Sequence, residues 1–128
     1  MKLIEVLNAR KVIASKAQVQ GVNFRTSLKF YKFIKATEED EKFYNEKRAE
    51  LIKTYATKDD KGEFIIKDDK YQFTDENWNA INEKFAELNT TEVDVSDDLK
   101  FETSELEKIE GFTLEEVSLI CPLIKDAE

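Results

Sequence analysis

An α+β fold, mostly helical and carrying a small antiparallel sheet, is what three features of this sequence predict. Apolar residues recur at steps of three and four over most of the chain. The period shortens to two only around residues 63 to 73. Between them lies one long stretch, 24 to 56, that keeps helical spacing almost without punctuation. With 128 residues, 41% of them hydrophobic and 38% charged, a single domain is expected, built on one core.

The first helix is expected at about 3–16. Leu3, Ile4, Val6, Leu7, Ala9, Val12, Ile13 and Ala17 form one broad apolar side. Gly21, free to adopt positive φ, is a natural stop. The long central helix follows at about 24–56. Phe24, Leu28, Tyr31 and Ile34 share a stripe that Phe43, Ala49, Ile52 and Ala56 resume beyond the acidic run Glu38–Glu41. Thr37 followed by Asp40 has the form of a capping box, which allows a kink or restart there.

Phe64-Ile-Ile66 and Tyr71-Gln-Phe73 flank Asp68-Asp69 and read as a hairpin at about 63–73, although Asp-Asp is a poorer turn pair than Asn-Gly. An isolated hairpin is marginal. The alternation in Glu92-Val-Asp-Val95 therefore offers a third strand at about 92–95. Thr74 is placed to cap a helix at about 74–89, with Trp78, Ile81, Phe85 and Leu88 on its apolar side. Thr113 and Glu116 form a second capping box that opens a helix at about 113–121, ended by Pro122.

The same residues argue against catalysis. The chain contains no histidine, which removes the commonest general base and metal ligand at neutral pH. Its one cysteine, Cys121, lies in an apolar run and is expected to be buried and inert. Gly21, Gly62 and Gly111 are too few and too scattered for a phosphate-binding loop. Asp94 to Glu105 has oxygen donors at calcium-loop spacing, but Leu99 stands where the tight turn needs glycine. The pairs Asp59-Asp60, Asp68-Asp69 and Asp97-Asp98 read as solvated turns. No cofactor and no metal is expected.

Charge is unevenly distributed. Residues 1 to 35 hold eight Lys or Arg against Glu5 alone, a net of +7, while the remainder is −15. Such a split arises when one half of a fold attracts the other, or when a basic binding face is attached to an acidic body. Arg25, Lys29 and Lys32 fall at i, i+4 and i+7 with aromatics between them. Arg25, Lys29, Tyr31, Lys32 and Phe33 are the candidate partner-binding residues. The −15 elsewhere reads against a nucleic-acid partner. No run approaches the ~18 apolar residues of a membrane span, and no secretory leader is legible at Met1–Glu5.

Several segments together carry a resemblance: Phe43-Tyr-Asn-Glu-Lys-Arg-Ala-Glu-Leu-Ile-Lys-Thr-Tyr55, Lys58-Asp-Asp-Lys-Gly62, Lys70-Tyr-Gln-Phe73, Phe85-Ala-Glu-Leu-Asn-Thr-Thr-Glu-Val-Asp-Val95 and Phe112-Thr-Leu-Glu-Glu-Val. Over roughly residues 1 to 125 the chain resembles a family of small bacteriophage and prophage proteins without an assigned activity. The resemblance implies a phage origin, residence in the host bacterial cytoplasm or the virion, and no transferable functional residue. The function expected is a non-catalytic protein-protein interaction or virion structural adaptor, with a protein partner or a second copy of the chain. The alternative is an acidic inhibitor that imitates nucleic acid and occupies a host or defence protein, since residues 71 to 128 carry 16 acidic side chains against four basic ones.

Overall fold

The computed structural model describes residues 1–19 and 21–126. It is α+β and mostly helical, with one two-stranded antiparallel sheet among the described residues. The chain groups into two compact units, Met1–Glu41 with Glu92–Glu128, and Lys42–Thr91.

In the first unit, helix α1 (Leu3–Lys16) opens where the Glu5 carboxylate accepts the Lys2 backbone N–H at 2.8 Å. It buries Val6, Ala9, Val12 and Ile13 on one side, the side its spacing predicts. Helix α2 (Phe24–Ala36) starts at Asn23, whose side chain accepts the Thr26 N–H at 2.9 Å. Such a cap stabilises a helix by about 1 kcal/mol. After Glu92 the chain forms a 3₁₀ turn at Asp97–Leu99, a short helix α5 (Thr103–Leu106), then α6 (Leu114–Ile120) and a closing 3₁₀ turn, Cys121–Leu123. The core joins α1 to Phe30 and Phe33 of α2 and to Phe101, Leu106, Ile109, Ile120 and Leu123. The Phe30 and Phe101 rings meet at 5.4 Å between centroids.

The box predicted at the start of α6 is formed. The Glu116 N–H donates to the Thr113 hydroxyl at 3.1 Å and the Thr113 N–H to the Glu116 carboxylate at 3.0 Å. The central helix, in contrast, breaks at Thr37 and resumes as α3 (Glu38–Tyr55). Among the described residues the Thr37 hydroxyl bonds to groups other than the Asp40 N–H. The buried Thr37 hydroxyl donates to the Phe33 carbonyl at 2.8 Å and accepts from Arg10 at 2.7 Å, so a side chain from α1 holds the corner. Glu38, Glu39, Asp40 and Glu41 then fill the first turn of α3, where the helix dipole favours negative charge.

The second unit holds the rest of α3, a hairpin and helix α4 (Asp75–Asn89). Thr74 caps α4 as expected, accepting the Asn77 N–H at 3.1 Å. Ile81 and Leu88 are buried, but Trp78 is 52% exposed and meets the Phe73 ring at a tilt of 54°. Strands β1 (Ile66–Lys67) and β2 (Lys70–Tyr71) pair around Asp68 and Asp69. The third strand expected at 92–95 is not there. Glu92 bridges Lys2, and the Val93 N–H donates to the Met1 carbonyl at 2.8 Å, so this segment belongs to the first unit. The open end of the hairpin is closed by its own preceding chain, with the Ile65 N–H donating to the Thr57 carbonyl and the Thr57 N–H to that of Gln72. Local backbone supplies the pairing that the alternating valines were expected to give.

Both turn residues adopt positive φ, 52° at Asp68 and 61° at Asp69, the signature of a type I′ turn. A left-handed residue costs roughly 1–2 kcal/mol, less for aspartate, whose side chain can bond locally. Asp69→Gly is therefore expected to stabilise the hairpin by about 0.5–1 kcal/mol. An unchanged or lower urea midpoint would contradict this assignment of the turn.

Candidate protein-binding surface

Helix α2 has two apolar faces. At 100° per residue, Thr26, Phe30, Phe33 and Thr37 fall on one side, and Phe24, Leu28 and Tyr31 on the opposite side. The first set is buried, with Phe33 at 0% exposure. The second lies open: Phe24 is 83% exposed, Leu28 40% and Tyr31 60%. One contact face suffices to hold a helix on a core. A second apolar stripe of three large side chains spaced i, i+4 and i+7 makes a patch on the order of a few hundred Å², the size at which monomer surfaces become functional.

The sequence-predicted set divides accordingly. Arg25, Tyr31 and Lys32 are exposed on α2. Phe33 is core and offers nothing to a partner, which corrects its inclusion. Lys29 is half-buried; its Nζ donates to the Glu105 carboxylate at 2.8 Å and the Lys100 carbonyl at 3.0 Å, and lies over the Phe101 ring. It ties α2 to α5 and to the residue Lys100 before it, and is spent internally. The basic stripe is thus interrupted at its middle. The structure adds Phe24 and Leu28, visible in the sequence as stripe residues but without any local sign of which face the core would cover.

The charge split is partly internal. Val6 to Thr37 contains no acidic residue and seven basic ones. Arg10 bonds Glu41, Lys16 bonds Glu116, and Lys29 bonds Glu105, all at 3.0 Å or less. Lys35 reaches Glu38 only at 3.8 Å on an exposed surface, an arrangement of little energetic value. Among the described residues, Lys11 on α1 and Arg25 and Lys32 on α2 have no ion-pair partner. Arg25 also sits in the first turn of α2, which has no acidic residue. A cation at that end opposes the helix dipole by about 0.3–1 kcal/mol. A groove beside it is walled by Phe24, Arg25, Ser104, Glu105 and Lys108.

The internal pairs set the acid response. Burial pushes the Glu105 carboxyl up, but the Glu102 N–H and Lys29 outweigh it and hold the group below its ordinary value. The Thr113 N–H and then Lys16 hold Glu116 below its ordinary value too. The Thr103 hydroxyl and N–H do the same for Asp126. A carboxyl lowered in the folded state stabilises it above the unfolded value and loses that contribution as pH falls through the folded value. Urea midpoints are expected to fall below about pH 5. In Glu105→Gln/Glu116→Gln the protein should be weaker at neutral pH and the acid slope flatter. An undiminished slope would mean that other carboxyls carry it.

Elsewhere, Cys121 is exposed rather than buried, because Ile120 and Leu123 on either side take the core positions. Among the described residues, no three Cys, Asp or Glu side chains converge as a metal site requires. Asp59 is a turn acceptor for the Lys61 and Glu63 N–H groups. No helix among the described residues is long and apolar enough to cross a membrane. No family model, curated protein or solved structure matches the chain.

Proposed function

We propose that this chain is a non-catalytic protein-binding module, a phage-type accessory adaptor, which docks a partner protein on the open face of α2 in the host bacterial cytoplasm or the virion. One observation carries the reading: α2 exposes Phe24, Leu28 and Tyr31 directly opposite the side that its own core fills. Leaving three large apolar side chains in water forgoes stabilisation of about 1.5–3 kcal/mol for each one that could be fully buried, and a docked partner restores it. The phage setting draws its support from the resemblance of the segments quoted above. The nucleic-acid-mimic reading loses two of the 16 acidic side chains of residues 71 to 128, since Lys29 and Lys16 engage Glu105 and Glu116, and it leaves the open apolar stripe of α2 without a role.

The test is a pull-down from host lysate and from phage particles with the tagged chain and with Phe24→Ser/Tyr31→Ser, circular dichroism having shown that both are folded. A protein held by the wild type and lost from the double variant is the expected outcome. Equal recovery by the two would remove α2 as the docking face.

A further inference from the structure

Resting on that reading, we infer that the occupant of α2 is an acidic amphipathic helix of a partner protein. It would set apolar side chains on Phe24, Leu28 and Tyr31 and carboxylates on Arg25, Lys32 and Lys108. The argument is one of charge complementarity. Helix α2 holds four basic residues and no acidic one, inside a chain of net charge −8. The fold takes up Lys29 through Glu105 and Lys100 and leaves Arg25 and Lys32 beside the apolar stripe without an ion-pair partner among the described residues. These two are seven residues apart and so share a flank of the helix. Lys108 brings a third cation to the groove that Phe24 and Arg25 wall, where the one carboxylate, Glu105, is already taken by Lys29. A basic segment would be repelled from this face, and a neutral one would leave the cations unmatched at its rim.

Geometry sets the occupant's length. Phe24 to Tyr31 spans two turns, roughly 10 Å, which one helix of three or four turns covers, with anchors at i, i+3 or i+4, and i+7. Nucleic acid is the other ligand that a basic, aromatic face could take. The observations favour protein: Leu28 stands at the centre of the stripe where a stacking platform needs a ring, and Lys29, the middle of the cationic row, points into the fold.

The probe is a synthetic helical peptide of about 16 residues with leucines on one face and glutamates on the other, titrated into the ¹⁵N-labelled full chain. A glutamine-for-glutamate version and an oligothymidylate run in parallel. Saturable shifts of the Phe24–Lys35 amides and of Lys108 are expected with the glutamate peptide. Its affinity should exceed that of the glutamine peptide by roughly ten-fold at low salt and fall to parity at about 0.5 M. Arg25→Gln/Lys32→Gln/Lys108→Gln, which alters exposed side chains only, should bind both peptides alike. Equal binding of the two peptides by the wild type overturns the acidic partner and leaves the docking face standing. No saturable shift at α2, tighter binding of the oligothymidylate, or shifts that grow with protein concentration alone each overturn the inference. The pull-down with Phe24→Ser/Tyr31→Ser reads the face itself, so the two failures are separable.

Discussion

Replacing Phe33 with alanine is expected to destabilise the chain by about 3–5 kcal/mol, whereas the same replacement at Phe24, nine residues away on the same helix, should change stability by less than about 0.5 kcal/mol. Phe33 is wholly enclosed and belongs to the core cluster with Val6, Ala9, Phe30 and Leu123. Deleting its ring removes its transfer free energy and leaves a cavity that close-packed neighbours fill only in part. Phe24 leaves most of its ring in water, so alanine there creates no cavity. Thermal unfolding should separate the two, with a fall on the order of 10–20 °C for Phe33→Ala and almost none for Phe24→Ala. Comparable losses at both positions would mean that Phe24 is covered in solution, by a second copy or by the chain itself, and that α2 has one apolar side only. The contrast therefore tests the foundation of the proposed function without requiring the partner.

Why the sequence could not make this distinction is a matter of range. Helix α2 reads as apolar at Phe24, Leu28 and Tyr31, and again at Phe30 and Phe33. Periodicity shows that a residue is on a stripe, and only packing from afar decides which stripe is inside. The deciding group is Phe101, about seventy residues downstream, whose ring meets Phe30. Signals complete within one turn were legible for the opposite reason. The Thr74 and Thr113 caps and the turn at Asp68-Asp69 each depend on bonds that close over two to four residues. Where a partner came from elsewhere in the chain, the local pattern misled. Val93 and Val95 alternate like a strand, yet the backbone donor at Val93 was taken by Met1. Of the candidate surface, Arg25, Tyr31 and Lys32 were legible, while Lys29 was lost to Glu105 and Lys100.

The cationic half of the chain fits the same account. A block of 32 residues without an acid, Val6 to Thr37, looks from composition like a nucleic-acid arm. Three of its seven cations instead meet carboxylates brought to them by the fold. Lys16 is typical: 7% exposed, it donates to the Gly111 carbonyl at 2.7 Å, pairs with Glu116 and lies over the Phe112 ring. A buried ammonium satisfied in this way joins the end of α1 to the start of α6. The cations of this block left without a carboxylate among the described residues are Lys11 on α1 and Arg25 and Lys32 on α2.

The other large effect is expected at Arg10. Its guanidinium is nearly enclosed and serves three acceptors at once: Nη1 donates to the Ile34 carbonyl and to the Thr37 hydroxyl, each at 2.7 Å, and Nε to Glu41 at 2.9 Å. Arg10→Met keeps the stem and removes the fork. It should cost about 2–4 kcal/mol, because a buried carbonyl and hydroxyl lose a charged donor together. Glu41→Gln should cost no more than about 1 kcal/mol, since that carboxylate is half exposed and screened by solvent. Arg10→Lys should behave nearly as badly as methionine, as one ammonium on a flexible stem cannot reproduce a planar fork aimed at three oxygens. Urea unfolding gives the three values, and a lysine variant as stable as the wild type would show that charge alone, not the fork, holds the corner. Arg10 fixes the point where α2 ends and α3 begins. Its loss should therefore also blur the Thr37 amide signal and loosen the last turn of α2, just beyond Tyr31 and Lys32.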